Sequence, residues 1–273
     1  MSNAGEITLR GLALHAGCET RVTLRRREGP FAIAQGAHEA KLDELEVVRA
    51  DRGVTLAGRG VRVDLVEHLL AATAALGIRR DLLVVVDGPE LPLLDGGSAA
   101  WFDALAELAI PSEPPTLVVT KAATLRHGES VYVFEPAAEV FVEAAIDFDH
   151  PLIGKQAASF RGDRADFRER IAVARTFGFL REAAALRAAG RAHGVDPRAV
   201  VVLTDEDVLE ASLPLRENEA AHHKLLDLIG DLALYGGPPR GKVFASRPGH
   251  AATHRILREA FAASVVARAP RPR

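Results

Sequence analysis

The chain has 273 residues, ten histidines, one cysteine and a net charge of −3. Nearly half apolar residues with a quarter charged is the balance of a folded globular protein, not a disordered one, and the length suits one large domain or two small ones. The acidic balance and scattered basic residues exclude a phosphate-backbone footprint as the leading idea, and a lone Cys18 excludes an intrachain disulfide.

The opening MSNAGEITLRG has no charged segment leading into an apolar run, so it does not read as a secretory signal. No apolar stretch reaches the length of about 18 residues that a membrane helix needs. A cytoplasmic protein is the default expectation, with membrane contact only through a lipid-like substrate. Residues 6–10 and 19–25 alternate β-branched and polar positions and predict strands, with a weak hairpin at 54–63. The period then changes. VEHLLAATAALG (residues 66–77) has apolar residues at helical spacing and ends in a glycine suited to a left-handed cap. Residues 82–86 form a continuous apolar run, as in a buried strand, before the turn DGPELP; residues 98–109 predict a second helix.

IPSEPP (residues 110–115) is the clearest break, because proline cannot continue a helix. A domain boundary is placed there, giving units 1–113 and 114–273. Beyond it, residues 116–125, 129–135 and 139–147 predict strands and 165–175 a helix. A helical stretch at 181–191 precedes a short buried strand at 199–203. Residues 218–235 form a long helix, 242–246 a strand and 250–267 a final helix, with the tail APRPR expected to fray. Each half pairs strands with two helices, so the fold class is α+β, in two layered sandwich domains. No residue-level repeat between the halves is visible.

The chemistry begins with AHHKLLDLIGDL. Residues four apart share a helix face, so His223, Asp227 and Asp231 form a stripe. A histidine and an aspartate one turn apart can reach one metal ion, although a solvated polar face has the same pattern. Glu67 and His68 open an otherwise apolar helix, where burial without a purpose is costly; an exposed first turn is the alternative. If His68 joins His223 and Asp227, a fourth zinc position stays open, which is the pattern of a catalytic centre. Open zinc lowers the pKa of a bound water and polarises a carbonyl, so amide hydrolysis is the natural reaction class. Neither HExxH nor paired CxxC occurs. His250 begins the last helix after Pro248-Gly249. Asp231 is the candidate acid that would keep it charged for work as a general acid.

GLALHAG, VEHLLAATAALGI, DGPELPLLDG, DFDHPLIGKQ, ARTFGF, HKLLDLIGDL and GH at Gly249-His250 occur in this order along the chain. Together they resemble the signature blocks of the UDP-3-O-acyl-N-acetylglucosamine deacetylases. The resemblance implies two sheet-plus-helix domains with the active site between them, a Zn2+ cofactor on His68, His223 and Asp227, Glu67 as general base, and His250 as general acid held charged by Asp231. It implies Thr176 as an oxyanion donor, Lys224 as a contact to the sugar or phosphate, and Phe177 and Phe179 along the approach. It also implies small inserts near residues 33–59 and 180–203, the second bounding an acyl passage, and a supporting role for His15. The expected partner is an acylated UDP-sugar, the protein a monomer, and the pH–rate profile bell-shaped. Departures from the family pattern at Arg79-Arg80, Gly97, Arg198, residues 216–221 and Arg247-Pro248 spare every proposed ligand and fall toward the substrate periphery. Competing readings are a zinc amidase for another N-acetylated sugar and a silent lipid- or protein-binding relative.

Overall fold

The computed structural model describes residues 5–269, so residues 270–273 of the tail and the first four residues lie outside it. β1 (Glu6–Leu12) and β2 (Glu19–Pro30) pair antiparallel, with Val22 and Leu24 of β2 turned into the core. β3 (Ala32–Gln35) and β4 (His38–Lys41) follow, then a separate antiparallel sheet of β5 (Glu46–Arg49), β6 (Thr55–Gly58) and β7 (Val61–Asp64). The β6–β7 turn places Arg59 and Gly60 at φ 51° and 83°, the left-handed pair that a tight hairpin requires. Helix α1 (Glu67–Leu76) ends at Gly77 with φ 72°, and leads into β8 (Arg80–Asp87) and α2 (Ala99–Glu107).

The rest of the chain repeats the plan. β9 (Leu117–Val119), β10 (Ala123–His127), β11 (Ser130–Glu135), β12 (Val140–Phe148) and β13 (Gly154–Phe160) lead to a short turn of helix, α3 (Arg164–Asp166), that widens into a π turn over Phe167–Ile171. β14 (Thr176–Phe179), α4 (Ala183–Ala188) and β15 (Val200–Leu203) form a small parallel unit. Then come α5 (Glu219–Ala233), β16 (Gly241–Ser246), α6 (His250–Ala262) and β17 (Val266–Arg268).

The two five-stranded sheets, β1-β2-β8-β3-β4 and β10-β11-β16-β12-β13, have one topology. In each, only the contact between the central last strand and the third is parallel, β8 with β3 and β16 with β12. One helix precedes that strand and another follows it. The fold is therefore the expected α+β arrangement of two sheet-plus-helix units, and the repeat between halves is structural. Residue comparison missed it because a sheet position asks only for apolar bulk: Val22 and Leu24 on β2 correspond in place to Tyr132 and Phe134 on β11.

Several elements differ from expectation. Residues 33–41 belong to the main sheet, so the first insert is the β5–β7 sheet alone. The helix expected over 165–175 stops at Ile171, because the extra residue in the π turn buries Phe167 and Ile171 and turns the chain toward β14. The final helix stops at Ala262, and Val266–Arg268 instead pairs antiparallel with β9. β13 was hidden by its alanines and polar residues.

All ten residues of α1 are buried. It packs on α2 and α5, and α5 packs in turn on β12, β13 and α6. Gly230 makes the α1–α5 approach possible, since a Cβ there would stand 2.2 Å from the Glu67 carbonyl oxygen. One apolar core runs through both sheets and these helices. Among the described residues, no helix is long and apolar enough to cross a membrane.

Candidate functional site

The α1–α5 crossing sets the first residues of α1 against the middle of α5. His68 Nδ1 lies 3.0 Å from the Gly97 carbonyl oxygen, and His223 Nδ1 lies 3.1 Å from that of Ala174. With the proton on each Nδ1, both rings donate to backbone and turn an unprotonated Nε2 toward Asp227. Asp227 Oδ1 is 4.0 Å from His68 Nε2 and 3.5 Å from His223 Nε2. The three donors lie within 4.8 Å of one another, and all three residues are buried. Burial, then the neighbouring His223, pushes His68 below its ordinary pKa; burial does the same to His223 against the pull of Asp227. Both imidazoles are thus held in the neutral form that binds metal.

The set fits zinc. Two imidazole nitrogens and a carboxylate oxygen are donors that zinc takes, and separations of 3.5 and 4.0 Å from Asp227 let all three reach one ion. Burial works to raise the Asp227 carboxyl, but Lys224, His223, His250 and His68 outweigh it and hold it well below the carboxylate range. The donors are braced from outside. Arg175 donates through its backbone N and Nε to Glu219 Oε1 (3.1 and 2.7 Å) and through Nη2 to Oε2 (2.8 Å). That buried pair fixes Ala174, one residue before Arg175, against His223, one turn after Glu219. Ser98 Oγ donates to the His68 carbonyl at 2.7 Å.

Glu67 and His250 flank the donors. Glu67 Oε2 accepts from the Val54 N–H at 3.0 Å, and Oε1 lies 3.8 Å from His250 Nε2. Burial raises the Glu67 carboxyl above its ordinary range, opposed by His250 and His68. His250 Nδ1 sits 2.9 Å from both oxygens of Asp231, and its Nε2 is 3.8 Å from Asp227 Oδ2. Burial would neutralise His250, yet Asp231, Asp227 and Glu67 raise its pKa to about 10, so it is charged at neutral pH. Asp231 also faces His254, whose Nδ1 meets the Tyr235 hydroxyl at 3.1 Å.

A cavity of about 750 Å³ opens over this cluster. Thr176, Phe177, Phe179 and Lys224 line it, and the Phe177 ring meets the His223 ring edge-on at 6.2 Å. Lys224 Nζ lies 2.7 Å from Asp227 Oδ2, so the residue expected to meet substrate is here paired with a metal-type donor. Leu186, Val195, Val200 and Val202 continue the cavity between α4 and β15 as an apolar passage. His15 lines the cavity but stands away from the donors: its Nε2 meets the Arg52 carbonyl oxygen and Arg191. Of the departures from the family pattern, only Pro248 lines the cavity; Arg79 reaches the carbonyls of Pro114 and Gly237, Arg198 pairs with Asp196, and Arg247 with Glu129 and Asp147. Sequence reasoning did not find the Arg175–Glu219 pair, Ser98, His254 or Arg191, since each acts through partners distant in the chain.

Two sheet-and-helix units of one topology, whose central helices cross over a buried His-His-Asp donor set, define an α+β protein with a built site for a divalent metal. The model of the family described as LpxC, UDP-3-O-acyl N-acetylglycosamine deacetylase, matches residues 3–262. A UDP-3-O-acyl-N-acetylglucosamine deacetylase of Myxococcus xanthus is 38% identical, over 92% of this chain and 83% of its own. Enzymes of the same name from Leptospira biflexa serovar Patoc and Nautilia profundicola are each 35% identical, over 90% and 92% of this chain and 84% and 88% of theirs. The chain belongs to this deacetylase family.

Proposed function

We propose that the chain is a zinc-dependent deacetylase of UDP-3-O-acyl-N-acetylglucosamine, releasing acetate and a free glucosamine amine. In this reading it acts as a cytoplasmic monomer at the committed step of lipid A synthesis. The observation that carries it is the convergence of His68, His223 and Asp227 within 4.8 Å, with Glu67 and His250 beside them. Zinc bound by those three residues supplies Lewis acidity toward the acetamide carbonyl and lowers the pKa of adjacent water.

The remaining work belongs to the chain. Glu67, made more basic by burial, takes the proton from the attacking water. Charged His250 stabilises the developing oxyanion and passes a proton to the departing amine, while Asp231 steadies the imidazolium. Thr176, at the cavity wall, adds a donor to that oxygen. Lys224 trades its bond with Asp227 for the anionic part of the sugar nucleotide. Phe177 and Phe179 flank the sugar, and the apolar passage between α4 and β15 takes the acyl chain. With a domain boundary at residues 110–115, the site draws Glu67 and His68 from one domain and the other groups from the second.

Metal analysis of the purified protein, paired with acetate release from the acylated UDP-sugar, tests site and reaction together. One equivalent of zinc and acetate release are expected, and Glu67→Ala should slow release at least about 100-fold with zinc retained. A fully active Glu67→Ala enzyme would remove Glu67 from the role. Turnover of a plain N-acetylated sugar in preference to the acylated nucleotide would overturn the substrate assignment.

A further inference from the structure

The segment after α4 does more than line the passage. Residues 190–194 dock on the N-terminal part of the chain: Gly194 N–H donates to the Leu14 carbonyl at 3.0 Å, and a Cβ on Gly194 would meet the Ala13 carbonyl oxygen at 2.1 Å. Arg191 is buried there. Its Nη1 donates to the Asp51 carbonyl (2.6 Å) and to Asp51 Oδ2 (3.0 Å). Its Nη2 donates to the Arg52 carbonyl (3.1 Å) and lies 3.0 Å from His15 Nε2. A second tie runs the other way, from Arg52 Nη1 to Glu182 Oε2 at 2.8 Å, just before α4. A buried guanidinium is costly unless its donors are met, and three hydrogen bonds to oxygen, two from Nη1 and one from Nη2, do most of that here, while the His15 ring packs against Nη2.

The loop so gripped is the one that touches Glu67, the proposed base. Gly53 stands so close that a Cβ there would lie 3.1 Å from Glu67 Oε1, and Val54 N–H holds Glu67 Oε2. On the other side of Arg191, Ala192 and Val195 form cavity wall, as do Ala183 and Leu186 on α4. One side chain therefore joins the wall of the passage to the loop that orients Glu67.

We propose that Arg191 is a positioning and specificity residue that braces the acyl passage against the Glu67 loop, so that a correctly seated acyl chain and an aligned base depend on the same contacts. The inference rests on the deacetylase reading for its substrate. A lysine keeps the charge but cannot span two carbonyls, a carboxylate and an imidazole at once, and methionine keeps the bulk without the bonds.

The test compares wild type, Arg191→Met and Arg191→Lys on UDP-N-acetylglucosamine carrying a long or a short 3-O-acyl chain. Zinc content and amide hydrogen exchange are measured on the same samples. For Arg191→Met, KM for the long-chain substrate should rise about tenfold, with a much smaller change for the short-chain one. The kcat should fall on both, and Arg191→Lys should recover part of each effect. Zinc content should stay at the wild-type level. Exchange should quicken at residues 50–54 and 190–196 and not across α5. Equal KM changes for both substrates, or unchanged exchange at residues 50–54, would overturn the brace. If Arg191→Met does not fold, the lysine variant carries the same comparison. If wild type releases no acetate from either substrate, the deacetylase reading fails by itself, and the exchange data still decide whether Arg191 holds the loop.

Discussion

His15 shows how one buried ring is tuned by its neighbours. Burial is the largest cause, and with the nearby charges of Arg191 and Arg49 it outweighs the Arg52 carbonyl and lowers the His15 pKa to about 4 from an ordinary 6.5. The folded protein thus keeps this ring neutral at a pH where the unfolded chain would protonate it. The stability that this one group contributes is fully present above pH 6.5 and is lost progressively as the pH falls from there toward about 4. Thermal unfolding of wild type and His15→Gln at pH 7 and pH 4.5 checks this. The variant should lose less stability between the two conditions, and an identical loss would rule His15 out as the source. Glu67 and His250, 3.8 Å apart, are pulled in a way that suits opposite tasks: burial raises the Glu67 carboxyl and makes it more basic, and three carboxylates keep the His250 imidazole charged.

At the scale of elements, the crossing of α1 and α5 decides whether a site exists. Gly230 lies where the two backbones meet, and any side chain there collides with the Glu67 backbone. Gly230→Ala should cost about 1–3 kcal/mol, as overpacking does, and it should also weaken zinc binding because α1 carries His68. Urea unfolding and a zinc titration of the variant measure the two effects. Unchanged values for both would mean that α1 can shift freely against α5. The Arg175–Glu219 pair works on the same crossing from outside, tying the start of α5 to the strand that follows Ala174. Both partners are almost wholly buried, so the pair contributes orientation more surely than net stability.

For the whole molecule, the donor set spans the structural repeat: His68 comes from the first unit, and His223 and Asp227 from the second. A metal held by all three therefore joins the two units and binds only the folded chain tightly. Free zinc at 100 times its dissociation constant should add about 2.7 kcal/mol, raising Tm, and a chelator should lower Tm again. Thermal scans with zinc and with chelator check this, and His68→Ala should respond far less. Equal responses of variant and wild type would mean that the metal sits elsewhere.

The sequence by itself determined the chemistry: which residues carry charge or a lone pair, their spacing along α1 and α5, and the apolar runs that become sheet interiors. Local periodicity makes these legible, since residues one helical turn apart share a face whatever surrounds them. It also made the α+β class readable from the order of strands and helices. Only the tertiary structure decided the rest. Placement of the central strand in each sheet, the early end of the helix before Thr176 and the split of the final helix into α6 and β17 follow from long-range pairing, which leaves no local period. So do the carbonyls that orient His68 and His223 and the four contacts of Arg191: these partners lie tens of residues or more away in sequence, and adjacency in space is set by packing, not by spacing along the chain.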